Sequence, residues 1–330
     1  MPSVAVFGAA GFTGALTARL LYRHPAFELQ AITARAEAGR KLSELYPHHR
    51  VPLELEDLDL ERHAEVDAAV VAYPHGQSAP LVAALRARGV RVLDLSADFR
   101  LRDPASYEAW YRSHPQPDLL AEAVYGLPER YRALIQEADL VANPGCYPTA
   151  ALLALAPLAR AGLIADAVID AKSGVSGAGR AATDKTHFVS VDENVSAYGV
   201  PRHRHTPEIE QELAALGAPV TVTFTPHLLP LDQGELVSCY VTLRDGQDAD
   251  LGRLYAEAYA EEPFVELTST PPGVRDVRET NICRLSVHAD PRTERAIAFA
   301  AIDNLWKGAA SQAVQNLNLM FGRPEGEGIS

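Results

Sequence analysis

Three groups of residues have types and spacings suited to chemistry. The stretch "VANPGCYPTA", residues 141–150, sets Cys146 between a Pro-Gly turn and an apolar helical run, with Pro148 as an early helix residue. A thiol there faces backbone N–H groups that have no partner within the helix. Those groups stabilise the thiolate, the form that attacks a carbonyl carbon. Cys239, in "LVSCYVTL", and Cys283, in "NICRLSV", sit in strand-like runs and read as small buried hydrophobes. "YGVPRHRHTPEIEQEL", residues 198–213, presents His203 and His205 just before a helix that Thr206 is expected to cap, with Pro207 in its first position. Either imidazole is placed to exchange a proton with the thiol. H-x-H could also be half a metal site, but no third ligand stands at a suitable spacing, so no metal is expected.

The second group is "GAAGFTG", residues 8–14, in which Gly8, Gly11 and Gly14 follow an apolar strand while Phe12 and Thr13 open a helix. Glycines there let backbone N–H groups approach a pyrophosphate at the positive end of the helix dipole. A glycine turn without a ligand is the competing reading, and the flanking strand and helix favour the dinucleotide. The second strand ends "ITARAE", offering Thr33 and Arg35 with Arg40 and Lys41 nearby, where an NAD site usually places a carboxylate. A 2'-phosphate fits this better than a bare hydroxyl, so NADPH/NADP+ is the expected cofactor.

In the third group, "KSGVSGAGR", residues 172–180, small and hydroxyl residues flanked by cations suit a loop around a phosphate or a nicotinamide. A serine nucleophile elbow is excluded, because G-x-S-x-G needs glycine where Ala178 stands. "LSADFRL", residues 95–101, places Arg100 at a strand end, where a guanidinium can grip a carboxylate or phosphate, or simply form a surface ion pair.

The elements that must position these groups follow from periodicity. Short apolar strands alternate with amphipathic helices from the N-terminus to the helix after Cys146, which predicts a doubly wound parallel sheet. Beyond about residue 160, long alternating strands predict a second α+β domain with a mixed or antiparallel sheet. They are "DAVIDAKSG", "APVTVTFTPHLLPL", "GELVSCYVTLRDG" and "NICRLSVHAD". The last helix, "DNLWKGAASQAVQNLNLMFG", is expected to return to the first domain, followed by a short polar tail after Gly322.

Composition excludes several classes. The 330 residues suit two domains, and 47% hydrophobic with 22% charged residues suits a packed globular chain. A net charge of -13 with no basic tract argues against nucleic acid. Three cysteines without metal-type spacing argue for neither a disulfide framework nor zinc, and a reducing cytoplasm is the expected location. No apolar run reaches the ~18 residues of a membrane span. The first apolar residues already belong to the glycine motif, so no leader is expected.

"GAAGFTG", "LSADFRL", "VYGLPE", "NPGCYPTA", "KSGVSGAGR", "HRHTPEI" and "DNLWKGAASQAVQNLN" occur in the order found in N-acetyl-gamma-glutamyl-phosphate reductases, the arginine-biosynthesis relatives of aspartate-semialdehyde dehydrogenase. The chain resembles that family over nearly its whole length. The resemblance implies a Rossmann domain over residues 1–145, completed by a C-terminal helix from 304–330, and a catalytic and oligomerisation domain over 146–303. It implies a cysteine thioester on Cys146 formed from an acyl phosphate with release of inorganic phosphate, His205 as acid/base, and His203 as second choice. It further suggests Arg100, Asn143 and Glu208 at the substrate or as organisers of the site, Ser176 and Gly177 beside the cofactor, Asn304 near the nicotinamide, and Pro74 on the nicotinamide side. A homo-oligomer, dimer or tetramer, is expected, with a small-molecule substrate and neither nucleic acid nor membrane as partner. Two alternatives stay open: a reductase of a carrier-protein-bound aminoadipyl or glutamyl phosphate, and a dinucleotide-binding regulator without turnover. The charge of -13 and the "CYPT" continuation favour the free N-acetyl substrate.

Overall fold

The computed structural model describes residues 1–244 and 249–329. Asp245 and Gly246, which end the expected strand "GELVSCYVTLRDG", lie outside the described residues. The chain divides into two compact units, Met1–Pro144 with Ala309–Ser330, and Gly145–Gly308.

The first unit is built on a seven-stranded sheet. In spatial order its strands are Leu55–Glu56, Glu28–Thr33, Ser3–Phe7, Ala68–Val71, Arg91–Asp94, Leu140–Ala142 and Val124–Tyr125. Every pairing in it is parallel. The central strands are short and buried at all but one end residue, Ser3, as expected for strands covered on both faces. Helices Phe12–Tyr22 and Ser78–Arg86 follow the first and fourth strands in sequence.

The C-terminal segment closes this unit. The expected single helix from residue 304 is corrected: a π-helical turn spans Trp306–Ala310, and the α-helix is Ser311–Met320. The reason lies at Asp303, whose carboxylate accepts the N–H groups of Leu305 and Trp306 at 2.9 and 3.2 Å and holds that stretch in the second unit. The helix is buried all round, and its polar residues have work to do. Asn316 Nδ2 donates to the Gly126 carbonyl at 2.8 Å, and Asn318 Nδ2 donates to the carbonyls of Glu325 and Glu327 at 3.0 and 2.9 Å. His24 Nε2 also donates to the Glu327 carbonyl, at 2.8 Å, so the polar tail is tied down.

The second unit carries a mixed seven-stranded sheet. Its order is Val265–Leu267, Cys283–Asp290, Arg295–Ile302, Glu235–Leu243, Ile164–Gly174, Val222–Leu229 and Ser196–Ala197. Two pairings are parallel, Val222–Leu229 with Ile164–Gly174 and Val265–Leu267 with Cys283–Asp290. The other four are antiparallel. Arg295–Ile302, "RAIAFAAI", was not among the strands expected from sequence; its alanines lack the β-branched signature of its neighbours. Helix Cys146–Arg160, buried from Tyr147 to Ala159, packs on strands Glu235–Leu243 and Arg295–Ile302 and beside helix Thr206–Ala215.

Candidate active site

In the first unit the glycine turn is shaped by steric necessity. Gly8 has φ +91, and a Cβ there would lie 2.7 Å from the Ala72 carbonyl oxygen. A Cβ on Gly14 would lie 2.3 Å from the Gly8 oxygen. Both positions therefore require glycine for the turn to close against strand and helix. Gly11 differs, since a Cβ there would meet only the Gly8 oxygen at 3.8 Å. It faces open space at the start of helix Phe12–Tyr22, which no side chain caps. The Tyr46 hydroxyl donates to the Ala10 carbonyl at 2.8 Å and pins the loop.

At the end of the second strand, the Thr33 carbonyl accepts the Gly8 and Ala9 N–H groups at 3.0 and 2.9 Å. The Thr33 hydroxyl is fully buried and has no hydrogen-bond partner. Arg35 is exposed, with its guanidinium 5.6 Å from the centre of the Tyr73 ring. Arg40 is committed elsewhere, to Glu37 at 2.7 Å. An uncapped helix start, an open cradle at Gly11, an orphaned hydroxyl and an exposed guanidinium fit a dinucleotide with a 2'-phosphate.

The turn "PHGQS" is set by a residue that the sequence reading passed over. The Asp98 carboxylate accepts from the N–H groups of Gly76 at 2.5 Å and Ala79 at 3.0 Å and from the Tyr107 hydroxyl at 3.0 Å. This fixes the loop that carries Pro74. Arg100 and Asn143, expected at the substrate, make hydrogen bonds within the first unit. Arg100 Nε donates to the Asn143 carbonyl at 2.8 Å and an Arg100 terminal nitrogen donates to the Leu95 carbonyl at 3.0 Å. Asn143 Nδ2 donates to the Ala309 carbonyl at 3.3 Å, and its Oδ1 accepts from Asn316 at 3.0 Å. Both thereby define the backbone just ahead of Cys146.

In the second unit Cys146 is the first residue of its helix, with Gly145 extended before it (φ -68, ψ 156) and no side-chain cap. Pro148 falls at the third helical position. The thiol is partly exposed and in no disulfide. Gly308 packs against it so closely that a Cβ at that position would lie 2.8 Å from the Cys146 Cβ. The Gly145 N–H donates to Glu208 Oε1 at 2.8 Å, and the Gly145 carbonyl accepts from both the N–H and the hydroxyl of Thr149 at 2.9 Å. Glu208 is 1% exposed.

Glu208 lies in the first turn of helix Thr206–Ala215, so this bond brings the starts of two helices together. The expected cap is corrected here: His205 occupies the N-cap, Thr206 is the first helical residue, and the buried Thr206 hydroxyl caps nothing. The His205 and Tyr147 ring centres are 5.7 Å apart. His203 packs edge-on among Tyr147, Tyr198 and Phe224 at 5.3–5.9 Å, and its Nδ1 accepts the His205 N–H at 3.2 Å. Burial, with the Arg204 cation adding to it, lowers the His203 pKa to about 4, so this ring is neutral near pH 7. His203 is thus a neutral ring held among aromatic neighbours.

Ser176, Gly177 and Asn304, expected at the cofactor, lie beside one another. Asn304 is buried; its Nδ2 donates to Ser176 Oγ at 3.0 Å, and its Oδ1 accepts the Gly234 N–H at 2.7 Å. A Cβ on Gly177 would lie 3.2 Å from Ser173 Oγ and 3.7 Å from Asn304 Nδ2. Sequence reasoning missed three residues of this unit. Tyr147 and Tyr198 join through their hydroxyls at 3.1 Å, both with pKa values raised by burial. Glu235 is 0% exposed and lies against the Cys146 thiol. Alternation along "ELVSCYVTL" could have revealed it, because Glu235 shares the buried face of Val237, Cys239 and Val241.

A profile described as semialdehyde dehydrogenase, NAD binding domain, matches residues 3–138, and one described as semialdehyde dehydrogenase, dimerisation domain, matches 146–304. That pairing defines a two-domain oxidoreductase of the semialdehyde dehydrogenase type. The chain is 50% identical to N-acetyl-gamma-glutamyl-phosphate reductase of Desulforudis audaxviator, over 100% of this chain and 98% of that one. It is also 50% identical to the enzyme of the same name from Moorella thermoacetica, over 98% and 97%. The chain therefore belongs to the N-acetyl-gamma-glutamyl-phosphate reductase family. Among solved structures, aspartate semialdehyde dehydrogenase II from Vibrio cholerae shares the fold, with a TM-score of 0.73 at 20% identity, covering 98% of this chain and 99% of that one. Among the described residues, no helix is long and apolar enough to cross a membrane.

Proposed function

We propose that this chain catalyses the NADPH-dependent reduction of N-acetyl-L-glutamyl 5-phosphate to N-acetyl-L-glutamate 5-semialdehyde with release of phosphate, the arginine-biosynthetic step, through a thioester on Cys146. The observation that carries the reading is the placement of that thiol. It opens a helix that no side chain caps, and the preceding peptide is held by Glu208.

Cys146 attacks the acyl carbon, the C–O bond to phosphate breaks, and the thioester forms. Gly11, Gly14 and the N–H groups opening helix Phe12–Tyr22 hold the dinucleotide pyrophosphate, while Thr33 and Arg35 receive the 2'-phosphate. The nicotinamide, when bound, supplies the hydride. Ser176, Gly177 and Asn304 are the cofactor residues of the second unit, and Pro74 is one of the first. His205 donates the proton that neutralises the carbonyl oxygen and recovers it as the hemithioacetal collapses. Arg100 and Asn143 support this chemistry by fixing the backbone that leads to Cys146. The working form is a cytoplasmic homo-oligomer, dimer or tetramer, assembled through the dimerisation domain.

The test runs the reaction backward, with N-acetyl-glutamate semialdehyde, phosphate and NADP+, following NADPH absorbance. The reading requires phosphate-dependent turnover. Turnover only with a carrier-linked semialdehyde, or tight NADPH binding without turnover, overturns it.

A further inference from the structure

The strand Glu235–Leu243 turns Glu235, Val237, Cys239 and Val241 to one face, and all four are 0% exposed. A carboxyl group at the head of an apolar stripe is costly to bury, and a fold keeps such a group where it has a task. Its position is fixed on every side. Glu235 pairs with Ser173 on one neighbouring strand and Ile302 on the other, and the preceding Gly234 is held by Asn304. Neither carboxyl oxygen has a hydrogen-bond partner. The reactive group its carboxyl meets is the Cys146 thiol, and Gly308 packs closely against that cysteine.

We propose that Glu235 is a further catalytic residue, which takes the Sγ proton of Cys146 as sulfur attacks the acyl carbon and returns it when the aldehyde leaves. This deepens the reading of the site given above and rests on Cys146 being its nucleophile. The steps balance. The S–H bond breaks as the S–C bond forms, the proton passes to a Glu235 oxygen, and phosphate departs with the C–O bonding pair. When the C–S bond breaks, its electron pair returns to sulfur, and the proton comes back from Glu235. The reactive form of the pair holds a single proton, shared between thiol and carboxyl.

Burial raises the Glu235 pKa to about 8, against the lowering effect of the thiol and with Asp303 adding to the rise. The other ionisable groups facing it are Tyr147 and Tyr198, which stay protonated over the working range. A proton is therefore available on the pair at neutral pH.

The test is the pH profile of Cys146 alkylation by iodoacetamide, read by peptide mass spectrometry on the full-length enzyme, for the parent and Glu235→Gln. It needs no acyl substrate, so its outcome is separate from that of the turnover assay. The expected parent profile has two limbs, one for each proton of the pair, and the variant has one. In turnover, Glu235→Gln is expected to lose about 100-fold in kcat with KM nearly unchanged. A single limb in the parent overturns the proposal, even if the variant does not fold. Identical profiles in the two proteins, or a kcat within about threefold of the parent, overturn it as well.

Discussion

The Glu208 carboxylate accepts a 2.8 Å hydrogen bond from the backbone N–H of Gly145, the residue that leads into Cys146. A carboxylate from one helix thus fixes the first turn of another, and Cys146 inherits its position from that contact. Charge-assisted bonds of this kind are stronger than neutral ones, and their buried donors are expensive to orphan.

Glu208→Ala leaves the Gly145 N–H without a partner in a buried site. We expect a loss of about 1–3 kcal/mol in stability, with a larger proportional loss in kcat than in affinity for substrate. Glu208→Gln retains an acceptor and should recover most of the stability. Denaturant midpoints and steady-state kinetics of the two variants check this; equal behaviour of Ala and Gln contradicts it.

Gly11→Ala should leave the fold intact, because its Cβ meets nothing closer than 3.8 Å. The methyl group enters the space a pyrophosphate needs, so NADPH affinity should fall about tenfold or more, roughly 1.4 kcal/mol. Gly14→Ala, with its Cβ 2.3 Å from the Gly8 oxygen, should instead destabilise the whole unit. Thermal melts with and without NADPH separate the two effects.

Arg35→Ala removes the exposed cation above Tyr73. The ratio of kcat/KM for NADPH over NADH should drop about tenfold, chiefly through KM for NADPH. An unchanged ratio would place the 2'-phosphate elsewhere.

His203 titrates near 4 in the folded protein and near its ordinary value of about 6.5 in the unfolded chain. Between those values only the unfolded chain takes up the proton, so stability rises with pH and is lost as pH falls from about 6.5 through about 4. His203→Phe keeps an aromatic ring against Tyr147, Tyr198 and Phe224 and removes the proton site. Its stability should be flatter over that window, offset by about 1 kcal/mol for the lost bond to the His205 N–H. Parallel stability curves contradict the assignment.

How much was legible in the sequence varies with the range of the interaction. The glycine turn and the Cys146 junction are local signals, since the strand, turn and helix that give them meaning adjoin them in the chain. His203 and His205 were visible as a pair. The neutrality of His203 was not, because it depends on the aromatic packing of Tyr147, Tyr198 and Phe224 around that ring. Arg100 could be read as an anion ligand or a surface ion pair; its hydrogen bonds to the carbonyls of Leu95 and of Asn143, the latter 43 positions away in the chain, are tertiary facts. Strand Arg295–Ile302 escaped notice because alanine gives no β signature, and its place is decided by pairing on both edges. Glu235 stands in an alternating pattern, but its closeness to Cys146 is a tertiary fact.

The central claim is that Cys146 carries the acyl group. Incubating the enzyme with N-acetyl-glutamyl phosphate in the absence of NADPH, quenching in acid and mapping peptides by mass spectrometry tests it most directly. The predicted result is an N-acetyl-glutamyl adduct on the peptide containing Cys146, labile to hydroxylamine and absent in Cys146→Ser. An adduct confined to another residue, or turnover that survives in Cys146→Ser, would contradict it.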